Sequence, residues 1–130
     1  MDVTPLIARD RQVVQSYSGG VFRISGKIYD HALFLFPQFV ERWSFSEDVS
    51  ELDVSDFFAL FPHKNNLDVV LLGTGNRMQF FAPVLKESLK REGLMVDAMD
   101  TGAACRTYNV LLAEGRRVAC ALIPTQKENT

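Results

Sequence analysis

The alternation of apolar runs and amphipathic segments in the second half of the chain constrains the fold more than any other feature. Residues 67–72 (LDVVLL), 94–99 (LMVDAM) and 116–124 (RRVACALIP) have the apolar character of buried strands. Residues 83–93 and 101–115, which lie between them, have helical character. Because crossovers of this kind are right-handed, the β-α-β-α-β order predicts three neighbouring parallel strands.

The two intervening helices carry signals at their ends and on their buried faces. In the first, Pro83 suits the first turn, and Leu85 and Leu89 share one face. In the second, Thr101 is predicted to cap the N-terminus and Gly115 to end the helix. The buried stripe of the second helix is predicted to consist of Ala104, Tyr108, Leu111 and Leu112.

The first half of the chain has a shorter, strand-like rhythm. Residues 12–46 contain β-branched and aromatic runs separated by turn signals, which predicts an antiparallel set of three or four strands. Residues 27–36 (KIYDHALFLF) are predicted to form one central strand that Pro37 ends, because apolar side chains lie on both of its faces. Residues 55–62 (SDFFALFP) predict a short helix that Pro62 ends. Its buried face is predicted to hold Val54, Phe57, Phe58 and Phe61.

These elements together predict one α/β domain. The expected architecture is a compact sandwich with a βαβαβ parallel core and an N-terminal antiparallel β-strand set packed against it or extending it. A chain of 130 residues is long enough for one such core. The predicted organisation is an N-terminal arm over residues 1–11, a single α/β domain over residues 12–124 and a polar tail over residues 125–130.

Charge and composition argue against several classes of protein. Fourteen Lys and Arg against sixteen Asp and Glu give a net charge of −2, so neither nucleic acid nor an anionic membrane surface is an expected partner. No apolar run approaches the ~20 residues that span a bilayer. Two cysteines and two histidines do not form a recognisable metal-ligand set, and no cofactor is predicted. The N-terminal residues resemble neither a signal nor a transit peptide, which predicts a cytoplasmic protein.

The turn after the first buried strand resembles half of a dinucleotide-binding fingerprint. That fingerprint has Gly-x-Gly-x-x-Gly between strand and helix, with an acidic residue about 20 positions later. Gly73 and Gly75 fill the first two places, and Asp97 lies near the end of the next strand, but Met78 stands at the third glycine place. Residues 76–82 also separate the turn from the helix whose N-terminus would bind phosphate. The sequence favours a tight turn, with a phosphate or nucleotide site as the alternative.

The carboxyl ends of the parallel strands are the expected place for any ligand, because ligands of open α/β sheets bind in that crevice. Arg77 would supply a positive charge there, and Asn76 can both donate and accept hydrogen bonds. The predicted ligand or partner crevice consists of Gly73, Thr74, Gly75, Asn76, Arg77, Asp97 and Thr101.

Two adjacent aromatic residues, Phe80 and Phe81, fall in the predicted loop before the first helix. Two neighbouring rings in a loop cannot easily both be buried. Core packing and a role as a partner-binding anchor therefore both remain open for this pair.

Cys105 is a candidate reactive thiol, because it lies near a helix N-terminus beside Arg106, and both features lower a thiol pKa. A cysteine enzyme also needs a base, and nothing in the sequence places His31 or His63 near it. The alternative interpretation, a small residue buried at the edge of the helix, is favoured. No catalytic residue is assigned.

Five stretches of the chain are distinctive: GGVFRISG (residues 19–26), LLGTG (71–75), the F-x-P of residues 81–83, REGL (91–94) and MDTGAACRTYNVLLAEGRRVACALIP (99–124). Together they resemble a widespread family of small α/β proteins of unknown function that includes the mitochondrial NADH dehydrogenase (complex I) assembly factor 3. The resemblance covers residues 17–124. It implies a compact α/β fold with a βαβαβ core and, for the mitochondrial member, a non-catalytic role in complex I assembly through protein contacts.

Two hypotheses about function follow. The first is a non-enzymatic assembly or protein-interaction factor linked to respiratory complex I, whose protein partner and oligomeric state the sequence does not reveal. The second is a small-molecule or nucleotide-binding domain that uses the crevice at the carboxyl ends of the parallel strands.

Overall fold

The computed structural model describes residues 10–44 and 48–126. Within these residues the chain forms eight strands, two α-helices and two 3-10 segments. The strands are β1 (Val14–Ser16), β2 (Phe22–Ile24), β3 (Lys27–Tyr29), β4 (Leu33–Leu35), β5 (Val40–Arg42), β6 (Val69–Thr74), β7 (Val96–Met99) and β8 (Val118–Ile123). The helices are α1 (Pro83–Arg91) and α2 (Thr101–Ala113), and the 3-10 segments are Val49–Glu51 and Val54–Asn66.

The main sheet has the strand order β5-β4-β8-β6-β7. Strand β6 lies between β8 and β7 and is parallel to both, with Leu71 opposite Cys120 on one side and Asp97 on the other. The predicted parallel trio is therefore confirmed. Strands β4 and β5 extend the sheet in antiparallel pairing, and β1, β2 and β3 form a separate antiparallel sheet, here called the small sheet.

Apolar cores lie on both faces of the main sheet. Leu72 of β6 belongs to the first core, which also holds Trp43 and the buried face of α1. Leu71, the preceding residue, belongs to the second core, which holds Tyr108 of α2 and residues of the small sheet. Successive strand residues point to opposite faces, so the continuous apolar run of β6 serves both cores.

The two helices confirm the periodicity argument, with one exception at a cap. Leu85 and Leu89 of α1 are buried, and Glu87 and Arg91 form an ion pair one turn apart. In α2 the buried residues include Ala104, Tyr108 and Leu112, and Leu111 is half-buried. Thr101 was predicted as the cap, but Asp100 is the N-cap, because its carboxylate accepts the Ala103 N–H at 2.8 Å.

The prediction of one strand over residues 27–36 is wrong. Strand β3 pairs with β2 in the small sheet, whereas β4 pairs with β5 and β8 in the main sheet. The chain crosses from one sheet to the other at residues 30–32. Alternating side chains indicate a strand but do not indicate which sheet the strand joins. Strands β3 and β4 each keep a two-residue period, although they belong to different sheets. Strand β4 itself is central and buried, as predicted.

The predicted helix over residues 55–62 is a 3-10 segment that continues past Pro62 to Asn66. A 3-10 turn has three residues, so side chains three positions apart share a face. Phe57 and Leu60 are accordingly buried, while Phe58, predicted to be buried, is 56% exposed. The α-helical period used for the prediction placed Phe58 on the wrong face.

The predicted domain boundaries stay predictions. Most of the arm, residues 1–9, and most of the tail, residues 127–130, lie outside the described residues, as do the last two positions of the predicted strand region, residues 45 and 46.

Candidate functional site

The glycine turn at the carboxyl end of β6 is closed by hydrogen bonds within the protein. Gly75 has a φ of +97°, a conformation that glycine adopts readily. Its N–H donates to the Thr101 hydroxyl at 2.8 Å, and that hydroxyl donates to the Ile123 carbonyl at 2.6 Å. The Thr101 N–H in turn donates to the Gly75 carbonyl at 2.9 Å. The Gly75 N–H, which a phosphate cradle would use, is thus engaged at the start of α2.

Gly73 serves close packing between strand and helix. A Cβ atom at this position would lie 3.0 Å from the Thr101 Cα and 3.0 Å from the Leu122 side chain. The Thr101 Cα belongs to the backbone and cannot move aside as the end of a flexible side chain could. The glycine therefore lets β6, β8 and the start of α2 approach each other, which accounts for it without a ligand.

The loop that follows is braced by its own side chains. The Thr74 hydroxyl donates to the Arg77 carbonyl at 2.7 Å and accepts the Gln79 N–H at 3.0 Å. The Gln79 side-chain amide donates to the Thr74 carbonyl at 2.7 Å. The Asn76 side chain donates to the Gln126 carbonyl and accepts the Gln126 N–H. These contacts brace the loop against the end of β6 and against Gln126.

The structure brings together only part of the predicted crevice. Gly75 and Asn76 line a shallow groove of about 280 Å³ together with Asp100, Gly102 and Arg106 at the start of α2. The other predicted crevice residues do not line it. Gly73, Thr74 and Thr101 are buried, Arg77 is exposed, and Asp97 pairs with Lys86 at 3.5 Å in a solvent-exposed contact.

Phe80 and Phe81, predicted together as a partner anchor, face opposite environments. Phe81 is 9% exposed and lies in the first core, with its ring 6.3 Å from that of Phe57. Phe80 is 68% exposed. Burial of Phe81 holds the backbone at Phe80, so the anchor hypothesis now rests on Phe80 alone.

Two further apolar residues accompany Phe80 at the surface. Met78 is 58% exposed and Val84, in the first turn of α1, is 78% exposed. We call Met78, Phe80 and Val84 the apolar loop surface. The helical period contains a signal for the exposure of Val84, because a helix that buries Leu85 and Leu89 leaves Val84 on another face.

The surroundings of Cys105 oppose thiol chemistry. Cys105 is 1% exposed, and burial raises the pKa of its thiol to about 12, outweighing the opposite effect of Arg106. Burial also raises the pKa of Cys120. A thiol with so high a pKa is almost entirely protonated at neutral pH and is a poor nucleophile. The packing interpretation of Cys105 agrees with this geometry.

Two other observations bear on the site. Within residues 10–44 and 48–126, no three His, Cys, Asp or Glu side chains come together as metal ligands would. In the same part of the chain, no helix has both the length and the apolar character needed to cross a bilayer.

Residues 14–123 match the profile of a family described as a protein of unknown function (DUF498/DUF598). The chain belongs to this family. The match includes the glycine turn, the loop after it and both helices, so the features described above lie within the family domain.

Relatives of the chain include named and unnamed proteins. NADH dehydrogenase [ubiquinone] 1 alpha subcomplex assembly factor 3 of Mus musculus is 34% identical over 117 residues, which are 88% of this chain and 62% of that protein. An uncharacterised protein of Rhodobacter capsulatus is 32% identical over 111 residues, covering 85% of this chain and 83% of the relative. This chain thus spans about three fifths of the assembly factor's length.

Solved structures support the same relationship. A crystal structure of a Bordetella parapertussis protein superimposes with a TM-score of 0.80 at 34% sequence identity, covering 90% of this chain and 98% of that one. This chain therefore shares its α/β fold with that protein.

Proposed function

We propose that this protein is a non-catalytic assembly factor that acts on respiratory complex I by binding a protein partner through the apolar loop surface. The observation that carries the proposal is the relationship over 88% of the chain to a protein named as a complex I assembly factor. The chemistry of the loop supports it and suggests which residues make the contact.

The apolar loop surface has the composition of an interface centre. Methionine and aromatic side chains are enriched in protein–protein interfaces, and a few such residues usually carry most of the binding energy. Met78 and Phe80 are each more than half exposed. In the isolated protein, exposing these apolar side chains to water does not stabilise the fold. Arg77, also exposed, adds a positive charge in the same loop.

The bracing of the loop supports tight binding. A segment that is already ordered loses less conformational entropy when a partner docks on it. The bonds between Thr74 and Gln79 and the burial of Phe81 order the loop on both sides of Phe80. A partner would meet a preformed surface.

The decisive experiment is quantitative affinity purification of the tagged protein from its native cells, followed by mass spectrometry. We expect the unaltered protein to enrich subunits or assembly factors of complex I, and Phe80→Ala to lose them. The melting temperature of Phe80→Ala should stay nearly unchanged, because an exposed ring contributes little to folding.

The matched control is Phe58→Ala, which removes another exposed ring from the second 3-10 segment. This variant should retain the partner. The proposal is wrong if Phe80→Ala captures the same proteins as the unaltered chain, or if the enriched proteins have no connection with complex I.

A further inference from the structure

A second and larger groove opens at the opposite end of the main sheet, where β6 and β8 begin. Its volume is about 710 Å³, which falls within the range of small-molecule sites. Its walls come from residue 11, from the turn between β4 and β5, from the end of the second 3-10 segment and from the turn between α2 and β8. Strands β6 and β8 have six residues each, so about 20 Å of strand separates this groove from the glycine turn.

One wall of the groove is aromatic. The Phe36 and Phe39 rings stack with centroids 4.4 Å apart and planes inclined by 20°. The His63 ring lies 4.7 Å from Phe36 and 5.5 Å from Phe39. Phe36 is buried, whereas Phe39 keeps 37% of its surface exposed. The exposed part of Phe39 therefore offers an aromatic contact to a flat apolar group in the groove.

Basic side chains also line the groove. Arg11, Arg116 and Arg117 all line it, and the residues that line it include no Asp or Glu. Arg117 is held by Asp68, whose carboxylate lies 2.8 Å from the guanidinium and whose pKa is lowered by that hydrogen bond. Within residues 10–44 and 48–126, Arg11 and Arg116 form no ion pair. Among these residues, neither guanidinium lies within 4.0 Å of a carboxylate, although Arg116 also interacts at longer range with Asp68.

The presence of arginine side chains and an aromatic wall in one groove favours a particular class of ligand. Guanidinium groups bind carboxylate and phosphate oxygens through parallel N–H donors. An aromatic wall beside them favours a ligand whose anionic group is attached to a flat, apolar body. An anion without a ring would leave the aromatic wall uncovered, and a neutral ring would bring no anionic group to the arginine side chains.

We propose that this groove is a binding site for a small organic anion that carries a carboxylate or phosphate on an aromatic body, with the anion at Arg11 and Arg116 and the ring against Phe39. The site is independent of the partner-binding role proposed for the apolar loop surface, since the two lie at opposite ends of the main sheet.

The test is an NMR titration of the isotope-labelled protein with phenyl phosphate and, separately, with benzoate. We expect saturable shifts of backbone amides in the turns at Phe39 and Arg116. Benzyl alcohol, which lacks the charge, and inorganic phosphate, which lacks the ring, should bind at least about tenfold more weakly. Whichever of the two aryl anions binds more tightly identifies the anionic group.

Arg116→Gln should weaken binding of the better ligand about tenfold, and Arg116→Lys should restore part of it. The Arg116 side chain is exposed in a turn, so these variants should fold normally. The matched control is Arg106→Gln, which removes an exposed arginine from the smaller groove at the start of α2 and should leave binding unchanged.

Three results would overturn the proposal. The first is the absence of saturable shifts at Phe39 and Arg116 with both aryl anions. The second is equal binding of the neutral alcohol. The third is tighter binding of a short peptide containing Asp and Phe than of either aryl anion, which would make the occupant a protein segment.

Discussion

At the scale of single residues, Thr101 organises the candidate site. Its side chain is fully buried, and its hydroxyl connects the glycine turn after β6 to the end of β8. Its backbone N–H donates to the Gly75 carbonyl and so adds a third bond across the same junction. One small polar residue at the start of α2 thereby holds the carboxyl ends of two parallel strands together.

Replacing Thr101 by valine should destabilise the protein by ~1–3 kcal/mol, because it leaves the buried Gly75 N–H without an acceptor. Valine has the same shape as threonine, so packing is preserved and the loss reports the hydrogen bonds. Urea denaturation followed by circular dichroism would measure the free energy of unfolding.

Thr101→Ser is the control for that substitution. It keeps both hydroxyl bonds and removes one methyl group, which should cost about 1 kcal/mol or less. A Thr101→Val protein as stable as the Thr101→Ser protein would show that the hydroxyl does not hold the junction.

At the scale of elements, the second 3-10 segment depends on its capped N-terminus. The Asp53 carboxylate accepts the Ser55 N–H at 2.8 Å, and the Asp56 carboxylate accepts the Asp53 N–H at 2.9 Å. Hydrogen bonds within a 3-10 segment have poorer geometry than those of an α-helix, so the capping bonds add to the local stability of this segment. The hydrogen bonds from Ser55 lower the pKa of Asp53 below its ordinary value of 3.8.

This lowered pKa predicts a specific acid sensitivity. Because Asp53 binds a proton less readily in the folded protein than in the unfolded chain, its contribution to stability is present above about pH 4 and is lost as the pH falls through its folded pKa. Asp53→Asn keeps the capping oxygen but cannot titrate. Its melting temperature should therefore fall less between about pH 6 and pH 3 than that of the unaltered protein.

Asp53→Ala separates capping from titration. Without a capping oxygen it should be less stable than the unaltered protein at pH 6, and this difference should narrow at pH 3, where the unaltered protein also loses the contribution of ionised Asp53. If Asp53→Asn lost as much stability on acidification as the unaltered protein, Asp53 would not contribute to the acid sensitivity.

At the scale of the whole molecule, the two cores share the central strands. Leu71 and Leu72 are adjacent in β6 yet belong to different cores. Strand β8 divides in the same way, with Cys120 in one core and Ala121 in the other. Because both cores pack on the same strands, disruption of these strands disrupts both cores. The domain should therefore unfold in one step.

This coupling predicts that Leu71→Ala lowers the unfolding midpoint reported by Trp43, although Trp43 lies in the other core. Each of Leu71→Ala and Leu72→Ala should cost ~2–5 kcal/mol, because both remove a buried leucine. The chain has one tryptophan, so its fluorescence reports the first core alone.

Val110→Ala, on the exposed side of α2, should leave the midpoint nearly unchanged. Two cores that unfold independently would give a different result: Leu71→Ala would change the circular dichroism transition and leave the Trp43 fluorescence transition where it was.

Sequence alone determined the features of this protein that depend on neighbours along the chain. The parallel trio β8-β6-β7 and the faces of α1 and α2 follow from apolar runs and helical spacing, which are local patterns. The resemblance of residues 99–124 likewise pointed to the family. Where the local period was misjudged, as in the second 3-10 segment, the prediction failed at the individual residue, as it did for Phe58.

Tertiary structure decided what depends on distant parts of the chain. It set which sheet β3 and β4 join, and it buried Phe81 while exposing Phe80. It directed the Thr101 hydroxyl to Gly75 and Ile123, contacts 26 and 22 positions away. The groove between Phe39 and Arg116 also exists only after folding, since its walls are far apart in sequence. Hydrophobic periodicity reports the local structure of a segment. It does not report which distant residue a side chain will contact, because that contact depends on how the whole chain folds.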